Sequence, residues 1–513
     1  MNAPHERLAE ALTELRTLQD QGIVAIQGSE ISALARRTLL RAGYLRPIMR
    51  GWYIPGAPGE SPGDSTPWFV SFWTFAAHYL DVRFGDAWCL SPEQSIALHV
   101  GDRSVPRQLL VRAPRGRNKP TELAHGVSIF EWRREPLPAA QVEVREGLRL
   151  QRLPIALINA SAQEFSARPT HLRTALALIT DASELLRPLI EGSHPVVASR
   201  LVGAMRNIGR ESLADEVRGG MEAAGFAIRE TDPFAAPMPR AISARERSPH
   251  VLRMQLQWAH MRDTVIGCMP RPPGLPSNPA EYLRQVDEIY TSDAYHSLSI
   301  EGYRVSTALI ERVRSGTWNP QQDAGDRQDA DALAAHGYWR AFQAVRGSVE
   351  RIVTGANAGV TVSRDHGAWY RSMFAPSVEA GIVEPSVLAG YRCGQVYIRY
   401  SRHVPPSAEA VRDAMPAFFE LLEAEPEAAV RTVLGHFFFV YLHPYMDGNG
   451  RMGRFLMNAA LASGGYPWRV IPLAERATYM ASLEAASVDG NIRPFADFLG
   501  HLIEAPVIAA PAR

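Results

Sequence analysis

The sequence predicts a mainly α fold, and three observations carry that prediction. Leucines recur at helical spacing from the first residues onward (Leu8, Leu12, Leu15, Leu18). Strand-like alternation is confined to short runs, broken by Gly and Pro, that end near residue 155. Beyond about residue 248 almost everything reads as helix, apart from one hairpin-like stretch near 391–404.

The elements follow in order. After the leucine-spaced helix comes a short apolar strand, Ile23-Val24-Ala25-Ile26. Ser29, with Glu30 in the first turn, reads as the cap of a second helix that runs through Ala33, Leu34, Leu39 and Leu40 and stops at Gly43. Tyr44 to Pro55 then alternates as a hairpin. Helix, strand, helix and hairpin in so few residues form a compact winged-helix pattern. Residues 68–155 combine a helix (Trp68 to Leu80) with strands such as Gln108–Arg112 and Val127–Glu131, as a small α+β domain would. Residues 168–226 return to helix and end at Gly225, and Asp232 to Pro239 carries three prolines and marks a linker. The expected domains are therefore 1–60, a winged helix; 61–235, α+β then helical; 236–250, a linker; and 251–505, a helical core.

Composition excludes more than it assigns. The 513 residues are too many for one core. Lys+Arg and Asp+Glu balance at 54 each, so any charged surface must be argued locally. Cys89, Cys268 and Cys393 have neither disulfide nor zinc-knuckle spacing. No signal-like N-terminus and no apolar run near the ~20 residues of a membrane span is present, so a cytoplasmic protein without membrane partners is the expectation.

One segment concentrates chemistry: His443-Pro-Tyr-Met-Asp-Gly-Asn-Gly-Arg-Met-Gly-Arg454. It follows an apolar helix (about Ala428 to Tyr441) that must be buried nearly all round. Two glycines in Asp447-Gly448-Asn449-Gly450 let the backbone approach a ligand, and a further helix, Arg451 to Ala462, aims its N-terminus at the same point. Arg451 and Arg454 share a helix face. Asp447 is a hard carboxylate suited to Mg²⁺ carrying phosphates, and His443 is the group that can accept a proton near neutral pH. A bare Asp-Gly-Asn-Gly is usually a solvated turn; base, metal ligand, glycine nest and two arginines within twelve residues argue for a phosphate site. An EF-hand is excluded because Arg451 falls where an oxygen ligand is required, and no Walker A loop is present.

This segment resembles the signature of Fic-domain proteins, His-Pro-Phe-x-(Asp/Glu)-Gly-Asn-Gly-Arg-x-x-Arg, with Tyr445 in place of Phe. The resemblance extends over about 250–500 and includes a flap-like hairpin, Arg392-Cys-Gly-Gln-Val-Tyr-Ile-Arg399, then Pro405-Pro406, and Tyr479 in a later helix. It implies a nucleotidyltransferase that moves AMP from ATP to a Ser, Thr or Tyr hydroxyl of a target protein. By that resemblance His443 is the base and Asp447 holds Mg²⁺. Gly448, Asn449, Gly450, Arg451 and Gly453 belong to the phosphate cradle, and Arg454 holds the γ-phosphate. Val396, Tyr397, Ile398, Arg399 and Tyr479 border substrate and adenine. The family often carries Asn near the position of Ser487, a departure that bears on nucleotide choice.

Upstream, Ser297-Leu-Ser-Ile-Glu301-Gly302 reads on its own as a helix ending at glycine. It also resembles the Ser/Thr-x-x-x-Glu-Gly/Asn motif of Fic proteins with an N-terminal inhibitory helix. A carboxylate competes with a γ-phosphate for one guanidinium, so Glu301 on Arg454 implies autoinhibition, with Ser297 and Gly302 as part of the device. Glu301 is also placed to orient water for AMP removal, a de-AMPylase reading that stays open here.

The front of the chain carries Arg36, Arg37, Arg41, Arg46 and Arg50 with no acid among them. On a winged helix these would meet phosphate backbone. Residues 12–230 resemble AbiEi-type antitoxin-like proteins, through Arg41-Ala-Gly-Tyr-Leu45, Arg50-Gly-Trp-Tyr-Ile-Pro55 and Arg200-Leu-Val-Gly-Ala-Met-Arg206 leading to Asp232-Pro-Phe234. That resemblance implies DNA as a partner beside ATP and a target protein. The alternative function is a nucleic-acid-binding regulator whose core senses nucleotide. A homodimer is a further expectation.

Overall fold

The computed structural model describes residues 4–58, 64–237, 248–318 and 330–506. Most of the expected linker, 238–247, lies outside the described residues. The chain folds as two compact units: Met1–Pro249 with Tyr397–Val404, and His250–Val396 with Pro405–Arg513. Helix dominates, as expected. Among the described residues no helix is long and apolar enough to cross a membrane.

The first unit opens with α1 (Pro4–Asp20), β1 (Ile26–Gln27), α2 (Ala33–Ala42), β2 (Leu45–Met49) and β3 (Trp52–Pro55). The strands pair antiparallel in the order β1-β3-β2. Ala11 and Leu15 of α1, Ile26 of β1, Ile31, Ala35 and Leu39 of α2, and Leu45 of β2 form its core. The cap of α2 is Ser32, not Ser29: the Ser32 hydroxyl accepts from Ala35 N (3.2 Å) and bonds Glu14. A side-chain partner on α1, invisible to local sequence, shifts the start by three residues. Gly43 ends α2 in the left-handed region (φ 79°).

Next come α3 (Thr66–Phe84), β4 (Cys89–Leu90), α4 (Pro92–His99), β5 (Gln108–Ala113), β6 (Pro120–Glu122), β7 (Ser128–Arg133), and the β8 (Val142–Arg145) and β9 (Leu148–Gln151) ladder. β4, β5, β7 and β6 form one sheet in that order, with β5 and β7 parallel. Aromatic α3 packs on it through Trp68, Phe72, Phe75 and Leu80. Six helices follow: α5 (Leu153–Asn159), α6 (Ala162–Ala167), α7 (Pro169–Leu178), α8 (Ser183–Glu191), α9 (Pro195–Asn207) and α10 (Glu211–Ala223).

The second unit has no strand among its described residues; its α-helices are α11 (Pro249–Cys268), α12 (Pro279–Ile300), α13 (Thr307–Arg314), α14 (Ala330–Val353), α15 (Ala358–Glu379), α16 (Ala408–Ala424), α17 (Ala428–Leu442), α18 (Asn449–Ala462), α19 (Arg476–Asp489) and α20 (Arg493–Glu504). α17 is buried on every side, with Phe437, Phe438 and Phe439 at 0% exposure. Such a helix serves as the axis on which the others pack.

The expected hairpin at 391–404 is absent. No strand forms there. Alternation in Val396-Tyr397-Ile398 needs a partner strand, and side chains take the ladder's place. Arg392, 2% exposed, donates to the carbonyls of His443 (2.8 Å), Gly394 (2.8 Å) and Pro406, while Gln395 donates to Pro405 O (2.9 Å). Val396 stays with the second unit. Tyr397, Ile398 and Arg399 belong to the first.

Candidate active site

α17 ends at His443, which adopts the left-handed conformation (φ 51°, ψ 58°) and closes the helix by donating its N–H to Phe439 O (3.0 Å). Pro444 cannot continue the helix. Ring atom Nδ1 faces Val440 O at 3.1 Å. A carbonyl only accepts, so Nδ1 carries the proton and Nε2 is left as the acceptor. Burial, opposed by the Val440 bond and helped by Arg392, lowers the pKa to about 4. The ring is therefore neutral at physiological pH and competent as a base.

The loop beyond is braced internally. Tyr445 stacks on Tyr370 (centroids 3.7 Å, planes 6° apart), so the aromatic packing expected of a Phe is kept. Asn449 is 1% exposed, accepts from Tyr445 N (2.9 Å) and donates to Tyr445 O (2.8 Å). Its side chain holds the loop's shape, so a phosphate would meet backbone N–H groups here. Gly448 has φ 80°, and a Cβ there would strike Phe374 at 2.8 Å. Asp447 accepts from Gly448 N (2.6 Å), approaches Arg451 at 3.3 Å, and is 65% exposed.

Arg451 is 2% exposed and lies between two rings, with Tyr303 at 5.2 Å and Phe374 at 5.1 Å. Arg454, 3% exposed, donates Nε to Ser297 Oγ (2.8 Å) and one terminal nitrogen to Ser297 O (3.0 Å) and Glu301 Oε1 (2.7 Å). Ser297 is in the last turn of α12 and Glu301 is its C-cap, with Gly302 at φ 96° turning the chain away. Burial acts to raise the Glu301 pKa, yet Arg454 and Arg451 hold it below the usual carboxylate value. A Cβ on Gly450 would collide with the Glu301 carboxylate. The carboxylate thus sits against the first turn of α18, where a phosphate would sit.

Two of the expected site residues also have packing partners. Gly453 is a packing position: a Cβ would meet Val440 at 2.8 Å and His436 at 3.3 Å, so glycine allows α17 and α18 to approach. Tyr479 is 1% exposed with its hydroxyl 2.8 Å from His436 Nε2, a brace beneath Arg454. Tyr397, Ile398 and Arg399 fall within the first unit.

Sequence reasoning gave no individual role to four groups. His436, at 0% exposure, is pushed down to about 3 by burial and stays neutral. Asp293 accepts from Tyr338 OH (2.6 Å), and burial raises its pKa to about 6 despite Tyr338 and Arg454. Tyr338 also bonds Ser297, which ties Asp293 to the arginine lock. Arg392 fixes the His443 carbonyl. Polar residues within otherwise apolar helices were the available signal, since a buried polar group must find a partner.

Residues 371–461 match the family model described as Fic/DOC family. The Fic match contains His443 through Arg454 but neither Glu301 nor Tyr479. Over 128 residues the chain is 37% identical to a protein adenylyltransferase Fic of Drosophila willistoni, covering 24% of this chain and 25% of that protein. Over 133 residues it is 38% identical to the protein adenylyltransferase Fic of Nematostella vectensis, covering 25% and 30%. The chain therefore spans between a quarter and a third of the curated relatives it matches. A solved structure of Fic-1 from C. elegans aligns with 62% of this chain and 89% of that one, at 20% identity and TM-score 0.35.

Proposed function

We propose that the second unit transfers AMP from ATP to a hydroxyl of a target protein and that Glu301 holds the reaction off. The observation that carries this is a neutral histidine with an accepting Nε2, placed beside an anion nest whose arginine is already paired with a carboxylate. In the reaction His443 takes the proton of a Ser, Thr or Tyr hydroxyl. The oxygen then bonds to the α-phosphorus, the bond from that phosphorus to the bridging oxygen breaks, and pyrophosphate leaves. The Gly448–Gly450 backbone and Arg451 stabilise the charge that develops on the phosphates. Of Val396, Tyr397, Ile398 and Arg399, Val396 falls in this unit.

Among the described residues no group of three or more His, Cys, Asp or Glu is arranged to hold a metal. A single exposed carboxylate fits Mg²⁺ that arrives already bound to phosphate, with Asp447 as the protein ligand. Mg²⁺ would offset phosphate charge; the chain's own residues position the nucleotide and move the proton.

Glu301 and a γ-phosphate want the same place. With the pair intact, ATP cannot seat its γ-phosphate on Arg454. Glu301→Gly is expected to raise labelling of the protein itself and of lysate proteins from α-labelled ATP by at least about tenfold. His443→Ala in that background is expected to remove it, as a base contributes ~10²–10⁴-fold. Equal labelling by the wild type and Glu301→Gly would exclude the brake. Labelling that survives His443→Ala would exclude the base.

A second reading concerns the first unit. Its helix–strand–helix–hairpin order and three-stranded sheet support a winged helix, and α2 presents Leu34, Arg37 and Arg41 on an exposed face. Duplex DNA is the partner that fits this face. Arg36 points elsewhere, donating to Gly28 O (2.6 Å), and Arg46 donates to Asp64 O (3.2 Å). A shift of duplex DNA in a gel that Arg37→Gln/Arg41→Gln abolishes would support it; an unchanged shift would exclude α2.

A further inference from the structure

The first unit carries a second concentration of positive charge, on its four-stranded sheet and separate from α2. Parallel β5 and β7 set Arg112 beside Trp132 and Ala113 beside Arg133, so their C-terminal ends lie together. The loop after β5, Pro114-Arg-Gly-Arg-Asn-Lys119, folds back on that end. Arg133 donates its N–H to Asn118 Oδ1 (2.7 Å) and its Nε to Gly116 O (2.8 Å). Asn118 N donates to Glu131 O (2.9 Å), and Gly116 lies so close to that backbone that a Cβ would sit 2.8 Å from Glu131 O. Arg134 N donates to Ala113 O (3.2 Å).

These backbone and side-chain bonds gather Arg115, Arg117, Lys119, Arg133 and Arg134 around one strand end. All five are exposed, and none forms an ion pair among the described residues. The nearest acid on β7, Glu131, is 0% exposed and bound to Arg83 (2.8 Å) and Tyr79 (3.2 Å), so it does not neutralise the rim. Glu122 and Glu135 are the exposed acids that flank the patch in sequence, and neither forms an ion pair with its cations among the described residues.

Trp132 is the second observation. It is 38% exposed, and the Arg134 guanidinium lies 4.5 Å over its ring. Phe130, half-buried, follows on the same sheet face by alternation. A merely solvated basic surface has no use for an exposed indole. Cations tracking a backbone beside a flat aromatic surface suit a polymer that offers phosphates and open base faces together. A duplex offers the phosphates but keeps its base faces stacked.

We propose that the C-terminal end of the β5–β7 pair is a site for single-stranded nucleic acid. The Arg115–Lys119 loop follows phosphates, and the Trp132–Arg134 stack receives a base. This reading is independent of the AMP-transfer reading. The test uses the full chain with fluorescent single-stranded RNA, single-stranded DNA and duplex DNA of about 12 units, a length within the usual site sizes, titrated over salt. Single strands are expected to bind at least about tenfold tighter than duplex, and the RNA and DNA arms tell which strand is preferred. Arg115→Gln/Arg117→Gln/Lys119→Gln should weaken single-strand binding more than about tenfold and flatten the salt slope by about 2, at ~0.7 per phosphate contact. Trp132→Ala should weaken it by about tenfold at an unchanged salt slope, with Trp132→Phe retaining most of the affinity. Unchanged thermal midpoints show that the variants are folded. The proposal is overturned if both sets leave binding intact, if only Arg37→Gln/Arg41→Gln removes it, or if duplex is still preferred in the Arg37→Gln/Arg41→Gln background.

Discussion

Arg454 in the second unit is 3% exposed and bonded to Ser297 and Glu301, whereas Arg37 and Arg41 in the first stand on an open face of α2. The residue type is the same and the physical regime is opposite. A guanidinium out of water must be paired, and whatever pairs it can be displaced only by a competitor of like charge and shape. A guanidinium in water needs no partner, interacts weakly with any one of them, and is screened within about 10 Å at 0.1 M salt. Burial makes arginine selective and exposure makes it collective.

The sharpest way to break this contrast is Arg454→Ala. It should eliminate labelling in the Glu301→Gly background and, in the otherwise native chain, cost about 2 kcal/mol by chemical denaturation. That figure lies below the ~3–5 kcal/mol of a fully buried pair because Glu301 keeps 27% of its side-chain surface in solvent. A stability change below about 0.5 kcal/mol would place Arg454 in the same regime as Arg37.

The buried histidines give the next largest effect. His436 is lowered to about 3 and His443 to about 4, chiefly by burial. A group with a depressed folded pKa stays unprotonated in the native state while the unfolded chain takes up a proton near pH 6.5. Stability should therefore fall as pH drops below 6.5 and continue falling toward the folded values, by up to about 1.4 kcal/mol per pH unit per group. Denaturation midpoints at pH 7 and pH 5 check it, and His436→Gln should shallow the slope. By the same sign, labelling by Glu301→Gly should persist to about pH 5 and should not fail near 6.5. A limb at 6.5 would mean that His443 is solvated.

A smaller effect is expected at Tyr303, whose ring covers Arg451 at 5.2 Å two residues beyond the lock. Tyr303→Ala should cost about 1 kcal/mol and raise labelling less than Glu301→Gly does. The smallest change belongs to the open face: Arg37→Gln/Arg41→Gln should alter stability by less than about 0.5 kcal/mol. Its whole effect should appear in salt-dependent retention of duplex DNA.

The same contrast explains what could be read from the sequence. His443 to Arg454 was legible because helix, loop and helix are consecutive, so base, nest and arginines are neighbours in the chain as in space. Glu301 is 153 residues from Arg454, and a motif resemblance, not periodicity, pointed to it. Asp293, Tyr338 and His436 are partners chosen by the tertiary core, and no local pattern pairs them. Long-range partners also account for two of the misreadings. Glu14 on α1 moved the α2 cap to Ser32, and Arg392 with Gln395 replaced the ladder that Val396-Tyr397-Ile398 had suggested.

Gly450 has a genetic consequence. The space its missing Cβ leaves is the space the Glu301 carboxylate fills, and the proposed substrate needs the same space. Under the proposed function a substitution there cannot release the activity, because whatever expels the carboxylate would also expel the nucleotide. Gain-of-function changes are therefore expected on the α12 side, at Ser297, Glu301, Gly302 or Tyr303, while the loop can only be broken. A selection for constitutive variants should return hits from one half of this contact and none from the other.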